Sequence, residues 1–396
     1  MSDIHIITEQ DIAEDTNLLQ RRWTEPNTFV LLPARQEIHR HWIGNATRLI
    51  TKHCPTDSFA LLTSGSTGQP RLIVGNRNRS EALARVLHEQ QNSEPVDETV
   101  CTLPLSYSFA FINQWLWSHV FQRKLRLTEG FSAPDRLMQI LAGASNAMLC
   151  LVGSQVPLIR RFFPEASFPG IIRVHFAGGR FPQEELDFLK ERFPNAEIYN
   201  NYGCAEAMPR LSMRRAGDAE DASHVGCPLP GVELRSDPSH RLLFRSPYRA
   251  IALIDDTRLH HVDDEEWLPT GDLGIIGTDG GVRLMGRAND VFKRHGEKIS
   301  LPQLMTTVKE HWAGDAAFYT DQDASCESGC VLVLAPVPTP EQVREVLMGF
   351  RKYHTRPHWP LRVESLESMP LLPNGKIDLK GLPGAGNTQV HWKQRI

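Results

Sequence analysis

The stretch Thr63-Ser64-Gly65-Ser66-Thr67-Gly68-Gln69-Pro70-Arg71 lies between two apolar runs, Phe59-Ala60-Leu61-Leu62 and Leu72-Ile73-Val74. Short apolar runs on either side of glycines predict a strand, a loop and a second strand. Glycines let backbone N–H groups converge on one point, and Ser and Thr hydroxyls add donors, which together make a nest suited to a phosphate. Arg71 adds a fixed positive fork at its end. The loop is no Walker A motif, because its glycine spacing differs, no Lys-Ser/Thr pair follows, and Pro70 opposes immediate entry into a helix. From these residues alone a flexible polar turn stays equally open.

The chain has 396 residues, 41% of them hydrophobic and 23% charged, which suits one large globular domain and a smaller one. A net charge of -4 gives no basic face for a nucleic acid. The first residues, MSDIHIITEQDIAEDTN, are acidic and do not read as a secretion signal. The apolar runs at 29–34, 147–153 and 331–337 are too short to span a bilayer. Seven scattered cysteines, with Cys326 and Cys330 the closest pair, predict reduced structural thiols in a cytoplasmic protein.

Residues 1–56 predict helices and one strand, and 80–91 a helix. The stretch 105–117, LSYSFAFINQWLW, is the densest aromatic segment and reads first as a core helix, above all at Phe111, Leu116 and Trp117. From Cys101 to Lys124 there is no acidic residue. Residues 147–152 predict a buried strand. Residues 171–177 predict another, running through Gly178-Gly179-Arg180 into a helix over 183–192, which suits a nucleotide edge or a plain tight turn. His260, His261, Asp263 and Asp264 read as solvated loop residues. The tail from Gly381 reads as mobile.

TSGSTGQPR resembles the phosphate loop of the adenylate-forming superfamily: acyl- and aryl-CoA synthetases, acyl-carrier-protein ligases, peptide-synthetase adenylation domains and luciferases. Arg71 stands where the family has Lys, keeping the charge and losing the point-ammonium geometry. The stretch 105–117 resembles the family's acyl-pocket motif, in which Pro-Leu-Phe-His-x-Phe-Gly enters a helix, and this implies Tyr107 as the gate and Phe109, Asn113, Trp115 and Ala177 as acyl-pocket walls. Glu197-Ile198-Tyr199-Asn200-Asn201-Tyr202-Gly203-Cys204-Ala205-Glu206 resembles Asn-x-Tyr-Gly-x-Thr-Glu. Ala205 replaces the Thr, forfeiting a donor to the adenylate phosphate worth about 1.5–3 kcal/mol. Residues 225–234 resemble Gly-x-Pro-x-Pro-Gly-x-Glu, and 266–272 end in Thr270-Gly271-Asp272 like the family's Thr-Gly-Asp. Residues 286–299 resemble the hinge motif, with Asn289 where Asp is usual and Gln303 where a Glu follows. Residues 371–378 end in Gly375-Lys376-Ile377-Asp378, and the turn at Asn374-Gly375 presents Lys376.

On this resemblance the fold is α/β: residues 1–285 form a large AMP-binding domain of sheets flanked by helices, and 286–396 a small α+β lid. Thr63, Ser64, Gly65, Ser66, Thr67, Gly68 and Arg71 are expected to hold ATP phosphates, and Gly178, Gly179, Arg180, Asn201, Tyr202 and Gly203 the nucleotide. Glu206 is expected to place Mg²⁺, Asp272 and Arg287 the ribose, and Lys376 to bridge the substrate carboxylate and phosphate. The lid is expected to alternate between two half-reactions, adenylation of a carboxylic acid and transfer to a thiol of coenzyme A or an acyl carrier protein. Amino-acid-activating relatives carry an Asp early in the pocket helix. Its absence implies an aryl or fatty acid, because a buried ammonium without a partner costs several kcal/mol. Only 62 residues precede Thr63, so part of the usual N-terminal subdomain is expected to be missing, with a homodimer or partner chain to cover the exposed face. The rival expectation is a degenerate member that binds nucleotide or scaffolds a biosynthetic complex, favoured by Arg71, Ala205, Asn289 and the short N-terminus.

Overall fold

The two apolar runs around the opening loop are antiparallel neighbours: Ser58–Ser64 pairs with Pro70–Asn76, and Thr63 stands opposite Arg71. The computed structural model describes residues 4–34, 40–64, 70–219, 221–255, 258–295, 297–323, 327–371 and 377–394. The chain divides into two compact units, Met1–Thr270 with Ile275–Leu284 and Gly271–Gly274 with Met285–Ile396.

In the first unit the hairpin sits in the middle of a six-stranded sheet. Its order is His5–Thr8, Phe29–Leu32, Ser58–Ser64, Pro70–Asn76, Ala252–Asp255 and Arg258–His261. Successive side chains point to opposite faces, and both faces are covered, so the strands read as unbroken apolar runs rather than alternating ones. Phe29, Leu31, Phe59, Leu61 and Ile73 enter one core with Leu19 and Trp23 of helix Leu18–Thr24. Val30, Ala60, Leu72 and Val74 enter another with Ala46 and Ile50 of helix Arg40–His53. Among its described residues the N-terminal stretch thus supplies two strands and three helices, one strand more than the sequence predicts. Thr8 and Asp11 form a reciprocal capping box on helix Glu9–Glu14.

A seven-stranded sheet is ordered Cys227–Pro228, Ser212–Arg215, Glu197–Tyr202, Ile171–Phe176, Ala147–Leu151, Glu98–Cys101 and Lys124–Leu127. Its last five members are parallel. One face is apolar: Leu149, Leu151, Val174, Phe176 and Ile198 pack under helices Pro134–Ala142, Val156–Phe162 and Leu186–Arg192. The other lies under helix Arg77–Gln90, whose first turn is capped by the Asn76 side chain, and under the aromatic stretch. That stretch is helical but irregular. A short α turn at Ser108–Ala110 passes into a π-helical turn, Phe111–Leu116, and back to α at Trp117–Val120.

The second unit holds a four-stranded sheet ordered Asp315–Gln322, Ser328–Ala335, Arg362–Ser365 and Gln389–Lys393. Helices Leu301–His311 and Pro340–Tyr353 cover one side, with Leu304, Val308, Val346 and Phe350 against Leu332, Leu334 and Val363. The tail expected to be mobile instead ends in a strand antiparallel to Arg362–Ser365, because Trp392 gains burial against that core.

Candidate active site

Arg71 faces two carboxylates. Its Nη1 lies 3.5 Å from Glu206 Oε1 and its Nη2 3.2 Å from Asp255 Oδ2. Antiparallel pairing sets Asp255 directly across from Arg71, while Glu206 comes from the 3₁₀ turn Ala205–Ala207. Thr63 donates its hydroxyl to the Arg71 carbonyl at 3.3 Å, holding the hairpin closed beside the loop. Gly65, Ser66, Thr67 and Gly68 lie outside the described residues, and so does Lys376; of Ser64 the backbone strand position is described.

Strand Glu197–Tyr202 delivers the next group. Asn201 is buried, donating Nδ2 to the Phe176 carbonyl at 3.0 Å, and Tyr202 is buried in the same core as the hairpin. Gly203 is required by space, since a Cβ there would stand 1.8 Å from the Pro209 carbonyl oxygen. Cys204 and Ala205 are half-buried beside the core. Gly178, Gly179 and Arg180 form an exposed loop in which Arg180 is tied to Glu184 at 2.6 Å.

The aromatic stretch splits by face. Asn113 and Gln114 turn toward the seven-stranded sheet, Asn113 reaching Cys150 Sγ at 3.2 Å and Gln114 reaching Thr99 Oγ1 and the Val100 carbonyl at 2.8 Å each. Trp115 turns the other way. Its ring centroid lies 5.3 Å from Trp23 and 4.9 Å from Phe111. The wider π turn brings neighbouring residues 113 and 114 onto one face, a recurrent device at functional sites. Tyr107 is half-buried at the start of the stretch, where burial and the nearby Glu9 push its hydroxyl up to about 12. Glu9 accepts from the Ser106 backbone at 2.8 Å and from its hydroxyl at 2.7 Å. The stretch has no acidic residue of its own, yet the fold sets one at its start. Ala177, at the end of strand Ile171–Phe176, is half-buried against the same core.

Arg210 carries no local signal in the sequence. The residue is 1% exposed. Nη1 donates to Asn201 Oδ1, and Nη2 to Asn113 Oδ1 at 3.0 Å, with the Phe109 ring 5.5 Å away. Burial pushes it down to about 9, so it keeps its charge at neutral pH. Beside it His175 is fully buried with neither ring nitrogen hydrogen-bonded, and burial, then the Arg210 and Arg173 charges, keep it neutral. A buried cation with only neutral partners costs several kcal/mol, and each unpartnered buried polar atom about 1–3 kcal/mol. Arg210 is four positions past Glu206 and nine past Asn201, yet its other partners are about a hundred residues upstream, so no local pattern reveals it.

In the second unit, Asp272 is buried on strand Leu268–Ile276, and its Oδ1 lies 3.0 Å from Nε of Arg287 at the end of strand Val282–Arg287. Asp290 is close enough to be affected: burial raises its pKa, Arg287 opposes and Asp272 adds. Of Asn289 only the backbone is described, in the 3₁₀ turn Ala288–Asp290.

Residues 9–239 match the AMP-binding enzyme family. The chain belongs to that family, and so to the adenylate-forming superfamily. Similar curated proteins are the delta-poly-L-ornithine synthetase of Acinetobacter baumannii, 25% identical over 97% of this chain and 29% of its own length, and 4-coumarate-CoA ligase 2 of Narcissus pseudonarcissus, 23% identical over 83% and 62%. The chain thus spans less than two thirds of these relatives. Among solved structures, the o-succinylbenzoate CoA synthetase of Bacillus subtilis bound to its acyl-adenylate superposes with a TM-score of 0.78, at 16% identity over 100% of this chain and 89% of that one. The ATP-bound MatB of Rhodopseudomonas palustris gives 0.70 at 17% identity, over 82% and 67%. The family's α/β fold, a large domain followed by a small C-terminal one, is therefore established for this chain.

Proposed function

We propose that the protein activates a small carboxylic acid, aryl or fatty and without an α-amino group, as an acyl-adenylate, and passes the acyl group to a phosphopantetheine thiol. The observation that carries this is the contact between Arg71 and Glu206. It joins the end of the phosphate loop to the carboxylate of the Asn-x-Tyr-Gly segment, 135 residues later. In adenylation a carboxylate oxygen attacks the α-phosphorus, a C–O–P bond forms, and the bond to pyrophosphate breaks. The thiol sulfur then attacks the acyl carbon, losing its proton, and AMP leaves with the bonding pair. The protein acts by positioning and by stabilising charge.

Among the described residues no cluster of three or more His, Cys, Asp or Glu could hold a metal by itself. Mg²⁺ is usually held by one or two carboxylates and substrate phosphates rather than by an all-protein cage. Glu206 would be the protein ligand; when bound, the ion neutralises phosphate charge. The Asp272–Arg287 pair suits a ribose, with the carboxylate accepting its hydroxyls. Coenzyme A and an acyl carrier protein both present the required thiol.

ATP–pyrophosphate exchange over aryl, fatty and amino acids tests the reading. Exchange is expected with acids lacking the amino group. A common amino acid outperforming benzoates and fatty acids would overturn it. Thioester assays with coenzyme A and with a pantetheinylated carrier protein then separate the acceptors. Arg71→Lys is expected to lose less than about 2 kcal/mol of kcat/KM, because the charge beside the phosphates survives while one of two partly exposed ion pairs is lost. A larger loss would mean that the fork itself binds phosphate.

A further inference from the structure

The sheet face under the π-helical turn is polar where the opposite face is apolar. Residues on paired positions of adjacent strands line it in order: Cys150, His175 and Tyr199, with the His175 and Tyr199 rings stacked at 5.0 Å. Asn113 lies over this row. Its Nδ2 is 3.2 Å from Cys150 Sγ, and its Oδ1 accepts from Gln91 at 3.1 Å and from Arg210. Gln91 Oε1 and both nitrogens of His175 are buried with no partner. The layer therefore concentrates one full positive charge and several unsatisfied polar atoms.

Among the other buried arginines, Arg77 and Arg214 donate to backbone carbonyls, Arg214 also to the Gln183 amide, while three face carboxylates. Arg294 pairs with Asp323 at 3.0 Å, Arg249 with Asp264 at 3.4 Å and Arg173 with Glu197 at 3.5 Å. Arg210 donates only to two neutral amides and makes no ion pair among the described residues. Its chain segment also carries Glu206, four residues earlier, beside Arg71. Half-buried Tyr107, Ala177, Cys204 and Ala205 pack around the same core.

We propose that this layer is the specificity element of the acyl subsite, and that Arg210 binds a second carboxylate on the acid being activated. The inference rests on the adenylation reading above and narrows its substrate class to dicarboxylic acids. A guanidinium binds a carboxylate through parallel N–H donors, and the buried setting strengthens that pairing. His175, neutral, has one N–H and one lone pair to offer beside it. The same charge repels a substrate ammonium, which agrees with the lack of an acidic residue in the stretch above.

The test is pyrophosphate exchange with matched acids, benzoate against isophthalate and hexanoate against adipate. In at least one pair, the dicarboxylate is expected to show kcat/KM at least tenfold above its partner. Arg210→Met should erase that advantage, through KM for the acid, and leave KM for ATP unaltered. Arg210→Lys, which keeps the charge, should retain the order of preference, and it serves as the second variant if Arg210→Met does not fold. Exchange with the monocarboxylates that equals or exceeds the dicarboxylates in both pairs would overturn the subsite while leaving acid activation standing. An equal loss for both members in a folded Arg210→Met protein would also overturn it, since the cation would then be purely structural. Exchange with no acid of any class would remove the activation reading and this inference with it.

Discussion

Lys376→Ala is expected to slow acyl-adenylate formation by at least about 10²-fold, while thioester formation from a supplied acyl-adenylate stays near the unmodified rate. The residue lies in Gly375-Lys376-Ile377-Asp378, 104 positions after Asp272 (376 − 272). During adenylation negative charge gathers on the attacking carboxylate and the α-phosphate, and an ammonium between them lowers that barrier. Removing one such donor from a preorganised site costs about 10²–10³ in rate. The thiol step starts from an adenylate already formed. In a protein whose small C-terminal domain alternates, the lysine is then no longer engaged. Single-turnover assays of each half-reaction separate the two. Equal losses in both steps would mean that the domain does not alternate, and two unaltered rates would remove the catalytic role of Lys376.

What the sequence reveals and what it hides follow from the range of the interactions. The hairpin around residues 63–71 is legible because both apolar runs lie within one short segment and its turn residues are local. The strands at 147–151 and 171–176 are legible for the same reason, and so is the order of the motifs. The edge strand Gln389–Lys393 is not, since its alternation rests on two apolar residues in five and its order comes from Trp392 meeting a core built elsewhere. Asn113 and Trp115 read as two walls of one pocket, yet they part company at the π turn, which no simple helical period foretells. Glu9 is 97 residues from the Ser106 it binds, and Arg71 is 184 from Asp255. Pairings at that distance come from sheet topology. Arg210 is the extreme case, a charge whose meaning depends on three separate segments meeting on one sheet face.

Neutral amides around Arg210 and a carboxylate beside Arg294 are opposite solutions to one problem, and the second can be tested by stability alone. Arg294 ends the strand Val291–Arg294, and Asp323 follows the strand Asp315–Gln322. Their side chains are 3% and 4% exposed, and Nη2 lies 3.0 Å from Oδ2. Arg294 Nε and Nη1 have no partner, so Asp323 supplies most of what compensates the charge. Asp323→Ala is therefore expected to destabilise the second unit by about 3–5 kcal/mol, the usual cost of leaving one buried ion without its mate. Removing both ions together, as in Arg294→Met with Asp323→Leu, should cost much less, because an apolar pair avoids desolvation altogether. Because the chain has two units, the transition is best followed by hydrogen exchange in the strands Asp315–Gln322 and Ser328–Ala335, which report on the second unit alone. A single Asp323→Ala change within about 0.5 kcal/mol of the parent would place the pair among solvated surface contacts. A double variant as unstable as the single one would mean that shape, not charge, holds this corner together.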